Sequence, residues 1–281
     1  MYGAIVTLVL GLFALLHSPE AIVSEKVKGL VAMLHDANGS SRVTAISQLR
    51  DSLPAVINFK EAEVLLESTG TYRNEALDLL ADKLAVNLRG MDVAVILGDT
   101  TGSRRNEALG KVSTAGKIKS GLQVEEVVAI LKGTENWRPG AIAILADRLA
   151  TNLGGMDVAA ILGDTTGSRR NEALGKISTA GKIKSGLQVE EVVAILKGTE
   201  NWRPEAIAIL VDKFAINLGG RDVAAILGDT TGSRRHKALG RISKGGKIKS
   251  DLTPDESQEV LKGMDSHSNE ALKVLSPYLA R

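Results

Sequence analysis

Apolar residues recur along this chain at helical spacing, in bursts too short to be long helices. In 124–131 the positions Val124, Val127, Val128, Ile130 and Leu131 fall on one broad stripe, with Glu125 and Glu126 on the other side. Leu122 precedes a cap at Gln123 and is placed to meet Val127 as a hydrophobic staple. A polar turn, Lys132-Gly133, follows. Asn136, or Ser103 in the sister segment, is then placed to cap a second helix. That helix is expected over 141–153, burying Ile142, Ile144, Leu145, Leu149 and Leu153. Pro139 and Pro204 sit in its first turn, where the missing N–H costs little. Near the end of the chain, Leu252-Thr253-Pro254-Asp255-Glu256 combines a cap, a proline at the first position and a glutamate at the third, a strong helix start.

The pattern repeats. Gly-Asp-Thr-Thr-Gly-Ser-Arg-Arg begins at Gly98, Gly163 and Gly228, 65 residues apart. Blocks 90–154 and 155–219 differ at seven positions, among them Gly140 to Glu205, Leu149 to Phe214 and Thr151 to Ile216. An older duplication lies inside each block, since the segment from Asp92 with Arg105-Asn-Glu-Ala-Leu matches the segment from Glu126 with Arg138-Pro-Gly-Ala-Ile. Met33-Leu34, Leu65-Leu66 and Val260-Leu261 extend the pattern to eight units, grouped in pairs at about 26–89, 90–154, 155–219 and 220–281. A helix pair of this length cannot cover its own apolar face, so neighbours must stack. The sequence therefore predicts an all-α fold, an α-solenoid of about eight helix-turn-helix units forming one domain over 22–281. Arginine stands at 42, 73, 105, 138, 170, 203 and 235 and becomes Ser268 in the eighth unit, which reads as a cap.

Composition narrows the picture. With 44% hydrophobic and 24% charged residues and a net charge of +2, the 281-residue chain can build a core and is too balanced for a polybasic tail. The 3% aromatic content suits thin layers of Ala, Val, Ile and Leu. Absence of cysteine excludes disulfides and thiolate metal sites. The uncharged run Ala4–Leu16 is shorter than the roughly 20 residues of a transmembrane helix, so residues 1–21 are expected to be a signal peptide and the mature chain to be secreted without a membrane span. Asn38-Gly39-Ser40 is an N-glycosylation sequon.

The segment from Asp36 through Arg42 to Ala45, repeated as Asp99 with Arg105 and Ala108, resembles the Asp, Arg, Ala pattern of HEAT-type repeats. The even units, such as the segment from Leu252 with Asn269-Glu-Ala-Leu, look more like a family of tandem helix pairs classed as a domain of unknown function. The HEAT resemblance implies a hydrogen-bonded ladder between units, formed by Asp36, Asp99, Asp164 and Asp229 with Arg105, Arg170, Arg235 and their counterparts. Neither resemblance implies catalysis.

The repeated Gly-Asp-Thr-Thr-Gly-Ser-Arg-Arg turn could hold a phosphate, sulfate or carboxylate. Arg104, Arg169 and Arg234 have no ladder role and are the candidates for contact with a partner. Trp137-Arg138 and Trp202-Arg203 have the composition of interface hot spots, although each ring could equally pack over the neighbouring unit. Lys117, Lys119 and their copies form a basic row opposed by Glu125, Glu126, Glu190 and Glu191, which reads as a solvated surface.

Gly110–Lys117 lacks the spacing and the Ser or Thr of a phosphate loop. His17, His35, His236 and His267 are scattered, and adjacent glutamates diverge on a helix, so no catalytic residue, cofactor or metal is expected. Sequence-specific nucleic acid binding would need a stronger positive field. The expected function is a secreted, non-enzymatic scaffold that binds a protein or anionic macromolecule. The alternative is a self-associating structural or extracellular-matrix protein.

Overall fold

The structure, a computed structural model, describes residues 23–280; the apolar run Ala4–Leu16 and the expected signal peptide 1–21 lie outside the described residues. Within them the chain forms sixteen α-helices and no strand. One layer contains α1 (Glu25–Met33), α3 (Phe59–Leu66), α5 (Gly90–Leu97), α7 (Val124–Leu131), α9 (Gly155–Leu162), α11 (Val189–Leu196), α13 (Gly220–Leu227) and α15 (Pro254–Leu261). The other contains α2 (Gly39–Leu49), α4 (Arg73–Leu80), α6 (Gly102–Thr114), α8 (Arg138–Leu145), α10 (Gly167–Thr179), α12 (Arg203–Leu210), α14 (Gly232–Lys244) and α16 (Ser268–Leu275). Every helix packs on the same-layer helices of its neighbouring units. Residues 23–280 form an all-α solenoid of eight helix pairs.

The apolar stripes face the space between the layers. Val127, Ile130 and Leu131 of α7 are buried, as are Ala141, Ile142 and Leu145 of α8. The second helix of the even units is shorter than the expected 141–153. α8 stops at Leu145 and tightens into a 3₁₀ turn at Ala146–Arg148, and Leu149 and Leu153 are buried outside any helix. Neither Ser103 nor Asn136 caps a second helix. Ser103 lies inside α6, and the leading amide of α6, on Gly102, donates instead to the Gly133 carbonyl of the next unit at 2.8 Å.

Leu149 and Leu153 belong to seven isolated parallel β-bridges that close the base of units two to eight. In the third unit Leu88 donates to the Lys117 carbonyl at 2.8 Å and accepts from the Lys119 amide at 3.0 Å. The bridges begin at Ile57, Leu88, Leu122, Leu153, Leu187, Leu218 and Leu252, an alternation of 31- and 34-residue steps. Longer units carry 13-residue second helices, whereas the shorter ones have eight-residue helices followed by a 3₁₀ turn.

The first layer is fastened by glutamates at the third position of the even-unit helices. Glu126 accepts from its own Gln123 amide at 3.0 Å, from the Gly90 amide of the preceding unit at 3.1 Å and from Lys119 at 3.0 Å. Glu191 repeats this with Gln188, Gly155 and Lys184, and Glu256 with Thr253, Gly220 and Lys249. Asp92, Asp157 and Asp222 occupy the same helix position in the odd units and accept from their own cap residues.

The Thr253 amide, then Lys249, hold the Glu256 carboxyl at about 2 against an ordinary 4.5. For Glu126 and Glu191, burial pushes upward but the amide and lysine donors outweigh it, so both also lie low. A carboxylate with a depressed folded-state pKa contributes stability that is complete above its ordinary pKa and lost as pH falls toward the lowered one. Acid unfolding is therefore expected to develop between about pH 4.5 and 2. Glu126→Gln, Glu191→Gln and Glu256→Gln together should flatten that limb of a stability–pH curve, and an unchanged limb would contradict their fastening role.

Candidate interaction edge

The turns joining each odd helix to its even partner stack on one another along one edge of the solenoid. Odd helices end at this edge, so their last carbonyls lack intrahelical partners. Arg105 supplies the donors, giving Nε to Ile130 O at 2.8 Å, Nη2 to Ala129 O at 3.3 Å and Nη1 to Gly98 O at 2.8 Å. One guanidinium thus ties its own unit to the C-terminus of the next first-layer helix, where the negative end of the helix dipole favours a cation. Arg170 and Arg235 do the same. Arg42 reaches Leu34, Val64 and Leu65, and Arg73 reaches Leu66, Val95 and Ile96.

The ladder differs from expectation in two ways. Asp99, Asp164 and Asp229 are exposed and none accepts from a ladder arginine; carbonyls occupy every donor bond, and the aspartates act only through their charge. Burial pulls the Arg105 guanidinium below the usual arginine range, the Arg73 charge adds to that, and Asp99 offsets part of it. Arg138 and Arg203, expected at a partner surface, are turned into the ladder instead. Arg138 donates to Ile161 O at 2.9 Å and Leu131 O at 3.5 Å, and Arg203 to Ile226 O at 2.9 Å and Leu196 O at 3.4 Å. Ser268 replaces arginine in the eighth unit, which has no following helix end among the described residues to reach.

Gly98, Gly163 and Gly228 are required by this packing. Each has φ near 54–55°, and a Cβ on Gly98 would lie 2.6 Å from the Arg73 guanidinium carbon.

Outside the ladder stands a row of rings. Trp137 is 54% and Trp202 47% exposed. One side of each rests on the preceding unit, with Cδ1 3.6 Å from where a Cβ on Gly102 or Gly167 would be. Asn106 and Asn171 hold the two tryptophan carbonyls at 2.8 Å. Tyr72 and His267 occupy the same place 65 residues to either side, Tyr72 against Gly39 and the His267 ring 6.0 Å from that of His236. Neither is a tryptophan, so the signal that marks both in the sequence is any ring at the 65-residue spacing.

Arg104, Arg169 and Arg234 are exposed on this edge. Arg104 donates to the Thr71 carbonyl, Arg169 to Asn136 Oδ1 at 2.6 Å, and Arg234 has no hydrogen-bond partner among the described residues. Beside Arg169 is a cleft of about 420 Å³ lined by Lys132, Glu135 and Asp164, and its copy beside Arg234, about 360 Å³, is lined by Lys197, Glu200 and Asp229. The Lys117 row reads differently from a free surface: Lys117, Lys182 and Lys247 donate to carbonyls of Asp82, Asp147 and Asp212 in the preceding units.

Asn38 is exposed just ahead of α2 and makes no capping bond with its side chain. Among the described residues no helix is long and apolar enough to cross a membrane, and no cluster of His, Asp and Glu is placed to hold a metal. Fold and edge together define a helical-repeat protein with two alternating kinds of unit. No protein family, curated protein or solved structure matches the chain.

Proposed function

We propose that this protein is a secreted, non-enzymatic scaffold of HEAT-like kinship that holds a protein or anionic macromolecule along the loop edge. The observation that carries this reading is the recurrence of half-exposed rings, Tyr72, Trp137 and Trp202, beside the exposed arginines Arg104, Arg169 and Arg234. Aromatic rings and arginine dominate interface energetics, the rings because they bury large areas with few rotatable bonds and arginine because its planar fork makes several hydrogen bonds at once. Equal spacing makes the edge multivalent toward a partner that is itself repetitive. Between 98 and 138 the exposed Arg104 and Lys132 are balanced by the exposed Asp99 and Glu135, and the excess of positive charge that suits an anionic partner lies behind them on the ladder guanidiniums of Arg105 and Arg138.

Trp137 and Trp202 are the only tryptophans of the chain, so its tryptophan emission reports on this edge. A partner retained from source fluid by the immobilised protein should shift that emission to the blue on titration. Arg104→Ala, Arg169→Ala and Arg234→Ala together with Trp137→Ala should abolish retention while changing helix content little. Retention that survives these substitutions, or a bound partner that leaves the emission unmoved, would refute the assignment of this edge.

A further inference from the structure

The third copy of the long second helix departs from the first two in one direction. α10 reads Gly167-Ser-Arg-Arg-Asn-Glu-Ala-Leu-Gly-Lys-Ile-Ser-Thr179, and α14 changes Asn171 to His236, Glu172 to Lys237, Lys176 to Arg241 and Thr179 to Lys244. Two of the four changes add positive charge, Lys237 and Lys244, one keeps it, Arg241, and none removes any. Arg234, Lys237, Arg241 and Lys244 stand at spacings of three, four and three residues, the period of one helix face, and all four are exposed. At 1.5 Å per residue they form a line about 15 Å long. Lys237 pairs with Glu205 at 2.5 Å, whereas Arg234, Arg241 and Lys244 have no carboxylate within 4 Å among the described residues. In α6 the corresponding Lys111 is neutralised by Asp78 at 2.5 Å and Glu107 at 3.4 Å.

We propose that this row on α14 binds a linear sulfated polysaccharide. A line one cation wide, with Glu205 beside it, complements a single polyanionic strand and not the broad plane of an anionic membrane. Its one ring, His236, is occupied against His267, so the row offers no platform on which nucleic-acid bases would stack. The row shares Arg234 with the loop edge, so the variants below keep Arg234 and both tryptophans, which makes failure of this assignment distinguishable from failure of the loop-edge reading.

The test is titration of the protein with heparin at several salt concentrations. The wild type is expected to bind with an affinity that falls as salt rises. The triple variant Lys237→Gln, Arg241→Gln, Lys244→Thr should bind at least roughly tenfold more weakly, given the usual contribution of each surface cation near an anionic polymer. Conversely, Glu172→Lys with Thr179→Lys in α10 should strengthen binding. No binding by the wild type at physiological salt, equal affinity of the triple variant with an unchanged far-UV spectrum, or equal binding of a single-stranded oligonucleotide or anionic vesicles would each overturn the proposal.

Discussion

Replacing Arg170 with alanine is expected to lower stability by about 3–4 kcal/mol, among the largest effects of any single substitution in this chain. The side chain is 4% exposed, and it serves four carbonyls, Ile195 at 2.9 Å, Gly163 at 2.8 Å, Thr165 at 3.2 Å and Ala194 at 3.4 Å. Truncation strips donors from the ends of two first-layer helices and opens a cavity between them. Lysine is a poor substitute, because a single ammonium cannot span both units as the planar fork does. In a solenoid each unit is held mainly by its neighbours, so loss of one tie should also uncouple the array. Urea unfolding should show the lost stability, and amide exchange should accelerate first in α9 and α11. Arg169→Ala, on the adjacent exposed position, should change stability by no more than about 0.5 kcal/mol. Equal effects at the two arginines would contradict the ladder.

Two glycine-to-alanine changes should have opposite signs. Gly155 opens α9 where the Glu191 backbone crosses it, and a Cβ there would lie 2.3 Å from Glu191 Cβ and 2.6 Å from its Cα. Nothing flexible can yield, so the first layer must part and release the Gly155 amide from Glu191 Oε1, now 2.9 Å away. Gly155→Ala is expected to cost about 2–3 kcal/mol, the usual penalty of overpacking. Gly175 lies inside α10 with nothing within 4 Å of its would-be Cβ. Gly175→Ala should therefore stabilise by about 0.5–1 kcal/mol through helix propensity and a less flexible unfolded chain. Thermal unfolding of the two variants side by side measures both signs at once.

The helix pairs and their stacking are legible in the sequence because a 3.6-residue apolar period repeated every 65 residues leaves few other ways to bury the apolar faces. The arginine at one place in seven units is legible too, but its partners are not. They are main-chain carbonyls, which a sequence does not distinguish, so the aspartates six residues before the odd-unit arginines looked like the natural counter-ions. The same blindness hid the β-bridges at Leu88 and Leu122, where only two backbone bonds are made, and the role of Glu126. Beside Glu125 it reads as one more surface charge, yet its carboxylate reaches the preceding unit. At the candidate edge, the exposure of Trp137 and Trp202 followed from neither composition nor spacing, since it depends on how much of each ring Gly102 and Gly167 cover. The basic row on α14 is written in the sequence only as differences between copies at positions of one helix face, which the repeat itself masks.

Two kinds of unit alternate along the solenoid, each shaped to meet the other. Deleting residues 155–219 removes one 65-residue pair and joins Gly154 to Gly220, a junction equivalent to the native Gly219–Gly220. Deleting 187–217 removes one 31-residue unit between bridge starts and sets two odd units side by side, where Asp222 is a methylene short of the reach that Glu191 has to Gly155. Circular dichroism during thermal unfolding distinguishes the two. The 65-residue deletion is expected to keep its helicity per residue and a single cooperative transition, whereas the 31-residue deletion loses cooperativity. Two deletions that unfold alike would contradict this alternation.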